Sequence, residues 1–300
     1  MKCTRPHTQN YGQENAYQHP CGYCPACQHN DRVQWTFRVH QESREAKEQW
    51  FITLTYDQDS IPVLGTEDGE LLRGVFNMRS NSRGTLLPSD IETFMNSLRK
   101  AQEREYKTYI KATRSPAEVL LEPEIRYYMV GEYGELGRPH YHLIIFNLWS
   151  NLAQETRLEK IWKKGRIETE PLSSALIHYA TGYLHQKNKY IKGEQIKPFM
   201  RCSKQLGRRY EKEAKEFHIK NKVPFVHYQG HKIPLPKYYI RRWFKDQDLE
   251  EMQKKIAEYI LKLDEFEFEP RKKNPTVPRQ TERQWQKEYQ INYQTKKRKL

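Results

Sequence analysis

The sequence predicts a fold that mixes strands and helices, and three observations carry that expectation. Trp50-Phe51-Ile52-Thr53-Leu54-Thr55-Tyr56 is a run of β-branched and aromatic residues, the composition of a strand. Residues 124–130 and 139–148 read as two strands around a turn rich in glycine, at 131, 134 and 137, the clearest hairpin signal in the chain. Between and after these strands lie segments with apolar residues at helical spacing, such as Ile91, Phe94, Met95 and Leu98 behind the capping run Pro88-Ser89-Asp90.

Taken in order, residues 1–27 are rich in Cys, His and Pro with little periodicity, as in a small knuckle stapled by a metal. Residues 28–48 turn helical, with Val33, Trp35, Phe37 and Val39 among charged neighbours. Residues 57–87 show no clear period and read as a long loop with room for a short hairpin. The helix that starts at Pro88 runs to about Tyr109, and its far end is heavily charged. Helices are expected over 151–163 and 174–189, with a short strand near 165–170 between them. Residues 204–217 suggest a very basic helix, and 246–263 another, with Met252, Ile256, Tyr259, Ile260 and Leu263 at helical spacing. The last 30 residues hold ten Lys or Arg against two Glu and no apolar pattern, the signature of a basic, partly disordered tail.

The 300 residues carry a formal net charge of +14. A field of that sign draws phosphate backbones toward the protein, although a basic surface also suits ribosomal or membrane-surface proteins. No stretch approaches the roughly 20 apolar residues that span a bilayer, and residues 1–18 lack the apolar centre of a signal peptide. The expectation is therefore a soluble protein that keeps to the compartment where it is made. The 20 tyrosines offer flat faces for stacking on bases, or ordinary core and rim residues.

Three constellations carry chemistry. In Pro139-His140-Tyr141-His142-Leu143-Ile144-Ile145-Phe146, a strand turns His140 and His142 to one face and Tyr141 to the other. Two imidazoles about 7 Å apart at the backbone can converge on one divalent cation. A bare His-x-His is more often an ordinary strand pair, but this one leads into an apolar run and follows a turn with Glu132 and Glu135. Glu132, at the end of the partner strand, is the preferred third ligand. In the second constellation, Tyr179, Tyr183 and Lys187 stand four residues apart and form one stripe of a helix. A phenol becomes a nucleophile when a metal polarises its target or a cation steadies its oxyanion. A tyrosine stripe packed on a sheet is the plainer reading of the same spacing. The third is Cys3 with Cys21-x2-Cys24-x2-Cys27, a spacing that suits structural zinc, with His7, His19 and His29 as substitute ligands. Four of the five cysteines fall within the first 27 residues, where a secreted disulfide framework would spread them out.

The order of these pieces resembles the replication initiators of the small single-stranded DNA phages called microviruses, the gokushovirus branch in particular. The matching segments are Pro20-Cys21-Gly22-x-Cys24-x-x-Cys27 with Arg32 and Trp35, then Phe51-x-Thr53-Leu54-Thr55-Tyr56, Gly131-Glu132-Tyr133-Gly134, Arg138-Pro139-His140-Tyr141-His142 and Tyr179-x-x-x-Tyr183. The resemblance implies an α+β fold of the His-hydrophobic-His (HUH) endonuclease type, with a central antiparallel sheet flanked by helices. It divides the chain into a Cys-rich module at 1–30, an endonuclease core at 31–200, a basic helical extension at 201–270 and the tail at 271–300. It further implies nicking of origin DNA that depends on Mg²⁺ or Mn²⁺ at His140, His142 and Glu132. Tyr179 would become linked to a 5′ phosphate, with Tyr183 acting in alternation and Lys187 as the nearby cation. Gly182 departs from the pattern, because the family carries Lys or Arg just before the second tyrosine. Single-stranded and origin DNA, a host helicase and polymerase, and the cytoplasm of a bacterial host would be the setting. The rival expectations are a plasmid relaxase, a zinc-containing nucleic-acid-binding protein without enzymatic activity, and a metal-dependent transferase acting on RNA.

Overall fold

The computed structural model describes residues 3, 5–14, 16–64, 71–73, 84–112, 124–134, 137–182 and 195–267. By internal contacts the chain divides into two compact units, residues 38–209 and residues 1–37 with 210–300. Residues 1–30 and the extension beyond 210 thus fall in the same unit.

The unit of residues 38–209 is built on a five-stranded antiparallel sheet. Its strands are β3 (Gln49–Thr55), β6 (Arg126–Tyr133), β7 (Pro139–Phe146), β8 (Ile167–Pro171) and β9 (Phe199–Cys202), in the order β8-β3-β7-β6-β9. The expected hairpin is β6–β7, but its strands run closer to the turn than the glycines suggest. Gly131 pairs with Tyr141 and Glu132 with His140, so Glu132 lies inside the ladder and not in the turn. Within the region read as a long loop, β4 (Pro62–Leu64) pairs antiparallel with β5 (Leu71–Arg73). The strand β9 has no counterpart in the sequence reading, because four residues with an arginine inside them show no alternation of their own.

The period of two divides the sheet. One face presents Ile52, Leu54, Tyr56, Met129, Tyr141, Leu143 and Ile145 to α2 (Pro88–Ala112) and α3 (Glu155–Trp162), whose Ile91, Phe94, Met95, Leu98, Leu158 and Trp162 complete the main core. Complete burial of an aliphatic or aromatic side chain contributes about 1.5–3 kcal/mol, so this face is the main source of stability. A polar network ties the start of α2 to the sheet. Asp90 is buried and accepts hydrogen bonds from Tyr56 Oη at 2.7 Å and Arg73 Nη2 at 2.8 Å. Tyr141 Oη in turn accepts from the backbone N–H of Leu87 at 2.7 Å. Burial, then the charges of Tyr141 and Asp90, push the Tyr56 phenol far above its ordinary pKa, so it stays a neutral donor.

The opposite face carries α4 (Ser174–Gly182), with Ile177, Ala180 and Thr181 buried. The last turns of α1 (Pro25–Ser43) also belong to this unit, where Glu42 pairs with Arg126 and accepts the Gly207 N–H at 2.7 Å. The rest of the helix expected over 174–189 lies outside the described residues.

In the other unit, a short hairpin of β1 (His7–Gln9) and β2 (Tyr17–His19) precedes the start of α1. The extension supplies α5 (Arg209–Asn221), the hairpin β10 (Phe225–Tyr228) with β11 (His231–Pro234), α6 (Lys237–Trp243) and α7 (Asp246–Glu267). Phe37, Leu235, Tyr239, Ile240, Trp243 and Met252 form its core. Among the described residues, no helix is long and apolar enough to cross a membrane.

The end of β3 is stitched to the α3–β8 connection. Thr55 N–H donates to Arg166 O at 2.9 Å, and Asp57 N–H to Lys164 O at 2.8 Å. Gly165 sits between these bonds at φ +140°, where an added Cβ would stand 2.3 Å from Thr55 O and from Asp57 N. Gly165→Ala is therefore expected to destabilise the protein by about 2–3 kcal/mol, through strain and overpacking together. A urea melt tests this, and an unchanged midpoint would mean that the connection shifts freely.

Candidate functional site

Strand register assembles the first cluster. His140 faces Glu132 across the β6–β7 ladder, and His142 lies two residues on, on the same side. His140 Nε2 is 2.8 Å and His142 Nε2 3.4 Å from the same oxygen, Glu132 Oε1. Glu132 and His142 are both 4 % exposed. Burial pushes the Glu132 carboxyl up, but its hydrogen bonds and charge interactions with the two histidines outweigh that and hold it below the usual carboxylate range.

The other ring nitrogens are oriented as well. His140 Nδ1 lies 3.2 Å from the carbonyl oxygen of Arg138, and His142 Nδ1 lies 3.1 Å from Thr53 Oγ1. A carbonyl oxygen can only accept, so His140 Nδ1 carries the proton. In a neutral ring His140 Nε2 is then a bare lone pair pointing at a carboxylate. Either an imidazolium or a cation between the two groups resolves that contact. The second carboxylate oxygen, Glu132 Oε2, is buried with no hydrogen-bond partner among the described residues. Adjacent donors around an octahedral ion with bonds near 2.1 Å stand about 3 Å apart, close to the separations found. The three donor atoms lie within 4.8 Å of one another, so these residues could hold a metal ion.

Helix α4 brings Tyr179 to this cluster. Its ring centroid is 5.3 Å from that of His142, edge to face, and 6.0 Å from that of Phe51, which stacks on His142 at 5.6 Å. Beside it, His40 lies 3.3 Å from Ser174 Oγ, and burial together with the neighbouring His178 lowers its pKa to about 4, so it is neutral at pH 7. Tyr183 and Lys187, the other two members of the expected stripe, lie outside the described residues, as does Glu135, the alternative third ligand.

The second cluster is the expected cysteine set. The sulfurs of Cys3, Cys21, Cys24 and Cys27 lie within 4.8 Å of one another, so these residues too could hold a metal ion. Cys21 Sγ is 3.9 Å from Cys27 Sγ, and Cys24 Sγ is 3.9 Å from Cys3 Sγ. For zinc–sulfur bonds near 2.3 Å the edge of a tetrahedron is about 3.8 Å. Gly22, at φ +80°, turns the chain so that Tyr23 N–H and Cys24 N–H both donate to Cys21 Sγ at 3.4 Å. His7 and His19 face each other in the β1–β2 hairpin, and neither they nor His29 join the sulfur cluster.

Thr53 was missed as a site residue by sequence reasoning. It belongs to the Phe51–Tyr56 motif, but only the β3–β7 register, which pairs it with His142, reveals what its hydroxyl does.

Comparisons with known proteins agree with this picture. The family described as replication-associated protein ORF2 matches residues 49–188, a span that contains both histidines, Glu132 and Tyr179. A replication-associated protein ORF2 of Spiroplasma virus 4 is 28 % identical over 269 residues, covering 81 % of this chain and 75 % of the relative. The replication-associated protein VP4 of Bdellovibrio phage phiMH2K is 24 % identical over 273 residues, covering 84 % and 76 %. The replication-associated protein ORF4 of Chlamydia phage 1 is 23 % identical over 217 residues, covering 66 % and 44 %. No solved structure gives a significant match. The chain is thus a relative of phage replication-associated proteins. Within that class it falls with the microvirus replication initiators, as its motifs led one to expect.

Groups that orient a metal-binding histidine typically change metal affinity by 10–100-fold when removed. Thr53→Val keeps the shape of the side chain and removes the hydroxyl. It is expected to weaken Mn²⁺ binding by about that factor with little change in the melting temperature, as measured by calorimetric titration.

Proposed function

We propose that this protein starts rolling-circle replication by nicking and rejoining origin DNA through a covalent 5′-phosphotyrosine, on a sheet of the HUH type. The observation that carries the reading is the position of Tyr179, whose ring stands edge-on to His142 in a cluster suited to a divalent cation. A Mg²⁺ or Mn²⁺ ion held by Glu132, His140 and His142 would supply Lewis acidity toward a phosphate oxygen and neutralise charge that builds up there. Two imidazoles and one carboxylate suit Mn²⁺ better than Mg²⁺.

The chain's own groups do the rest. Tyr179 loses its phenolic proton as its oxygen forms the new bond to phosphorus. The 3′ oxygen of the cleaved nucleotide leaves and takes up a proton. One phosphoester replaces another, so the bond energy is retained and rejoining needs no nucleotide cofactor. Phe51 backs His142 and borders Tyr179, which limits where both rings can go. Tyr183 is the proposed second nucleophile and Lys187 its cation. The basic extension and tail are proposed to hold phosphates, with DNA and the host's helicase and polymerase as partners in the host cytoplasm.

Purified protein mixed with a labelled single-stranded oligonucleotide from a candidate origin, in the presence of Mn²⁺, is expected to give a protease-sensitive adduct that survives SDS. EDTA and Tyr179→Phe should each abolish it. Loss with Tyr183→Phe but not with Tyr179→Phe would reverse the order of the tyrosines. Failure to form any adduct over several origin segments would refute the nicking reading.

We also propose that Cys3, Cys21, Cys24 and Cys27 bind structural zinc. About one zinc per chain is then expected by elemental analysis of the purified protein. Cys24→Ser should lose it and lower the melting temperature. Protein that is fully folded and free of zinc would overturn this assignment.

A further inference from the structure

The register of the sheet extends the site sideways. β8 pairs with β3 so that Leu54 meets Ile167 and Thr53 meets Glu168, and the bond from Thr55 N–H to Arg166 O continues the ladder by one residue. Arg166, Thr55, His140 and Glu132 therefore form one row across the sheet on the face that carries the metal-type cluster. Glu168, Thr53, His142 and Val130 form the next row. Strands are spaced about 4.8 Å apart, which sets the backbone of Arg166 roughly 10 Å from that of His140. Only the small side chains of Thr53 and Thr55 stand between the two, so the face forms a shallow trough.

Arg166 is 76 % exposed, and its Nη2 lies 2.8 Å from Glu168 Oε1, two residues on and on the same face. That bond draws the guanidinium over the face and away from the sheet edge. An exposed pair of this kind contributes at most about 1 kcal/mol, so a phosphate can take its place. Few other cations are available. On this face, among the described strand residues, the other arginine is Arg126, which is committed to Glu42. Helix α4 carries no Lys or Arg from Ser174 to Gly182.

We infer that Arg166 binds a backbone phosphate of single-stranded DNA lying in this trough, next to the phosphate that is cut. The choice of ligand rests on the nicking reading. The guanidinium fork suits bidentate contact with a phosphate.

The test is the salt dependence of binding to a fluorescent single-stranded oligonucleotide, measured by anisotropy in EDTA so that no cleavage occurs. Each phosphate neutralised on a single strand contributes about 0.7 to the slope of log K against log salt. Arg166→Ala is expected to reduce the slope by about that amount and to weaken binding several-fold at low salt, with Arg166→Lys keeping the slope. Arg104→Ala removes a cation from α2, across the sheet, and should leave the slope as in wild type. A wild-type slope in Arg166→Ala, or an equal drop in Arg104→Ala, would overturn the inference. The nicking reading fails separately: an unchanged slope with adduct formation overturns the arginine's role alone, and a reduced slope without any adduct overturns nicking alone.

Discussion

Strand β7 cannot turn His140 and His142 to one side without sending Tyr141, Leu143 and Ile145 to the other. This alternation fixes most of the unit around it. The apolar set is fully buried against α2 and α3, so a slip of one residue would expose it and bury the histidines in its place. The burial of Tyr141, Leu143 and Ile145 thus holds the imidazoles in position, and the core acts as the clamp of the site. Polar bonds on the core side reinforce it, since Tyr141 and Tyr56 meet at 3.0 Å beside Asp90.

The upper face is costly by comparison. It buries a carboxylate against two imidazoles and leaves one of its oxygens without a hydrogen-bond partner among the described residues. A buried charge without full compensation works against folding. Such arrangements persist where a ligand completes them, and the donor set here matches a divalent cation in number, separation and chemical type. The cysteine cluster follows the same logic in the other unit, where four buried sulfurs and amide donors converge in a segment with little apolar core of its own. Both clusters depend on groups that would repel or stay unsatisfied unless something bound between them.

The sequence was a good guide wherever the relevant geometry is local. Strand β3, the β6–β7 hairpin, α2 and α7 follow from residue type and period, and the structure has them close to the expected limits. It was a poorer guide at Gly131, where glycine marks a close approach within a strand and not a turn. An added Cβ there would meet Leu86 at 3.0 Å and the Tyr141 ring at 3.2 Å. It also missed β9, whose place is set by pairing with β6 and not by its own pattern.

For the site, the sequence by itself determined that His140 and His142 share a face and that three cysteines recur at intervals of three. Both follow from backbone geometry over a few residues. Only the tertiary structure decided that Glu132 is the partner of both histidines, that Thr53 orients His142, that Tyr179 stands against that ring and that Arg166 shares a row with His140. Those relations join residues from 8 to 89 positions apart in the chain. They depend on strand register and on the seating of a helix, which are settled by burial of the opposite face and leave no local mark in the sequence.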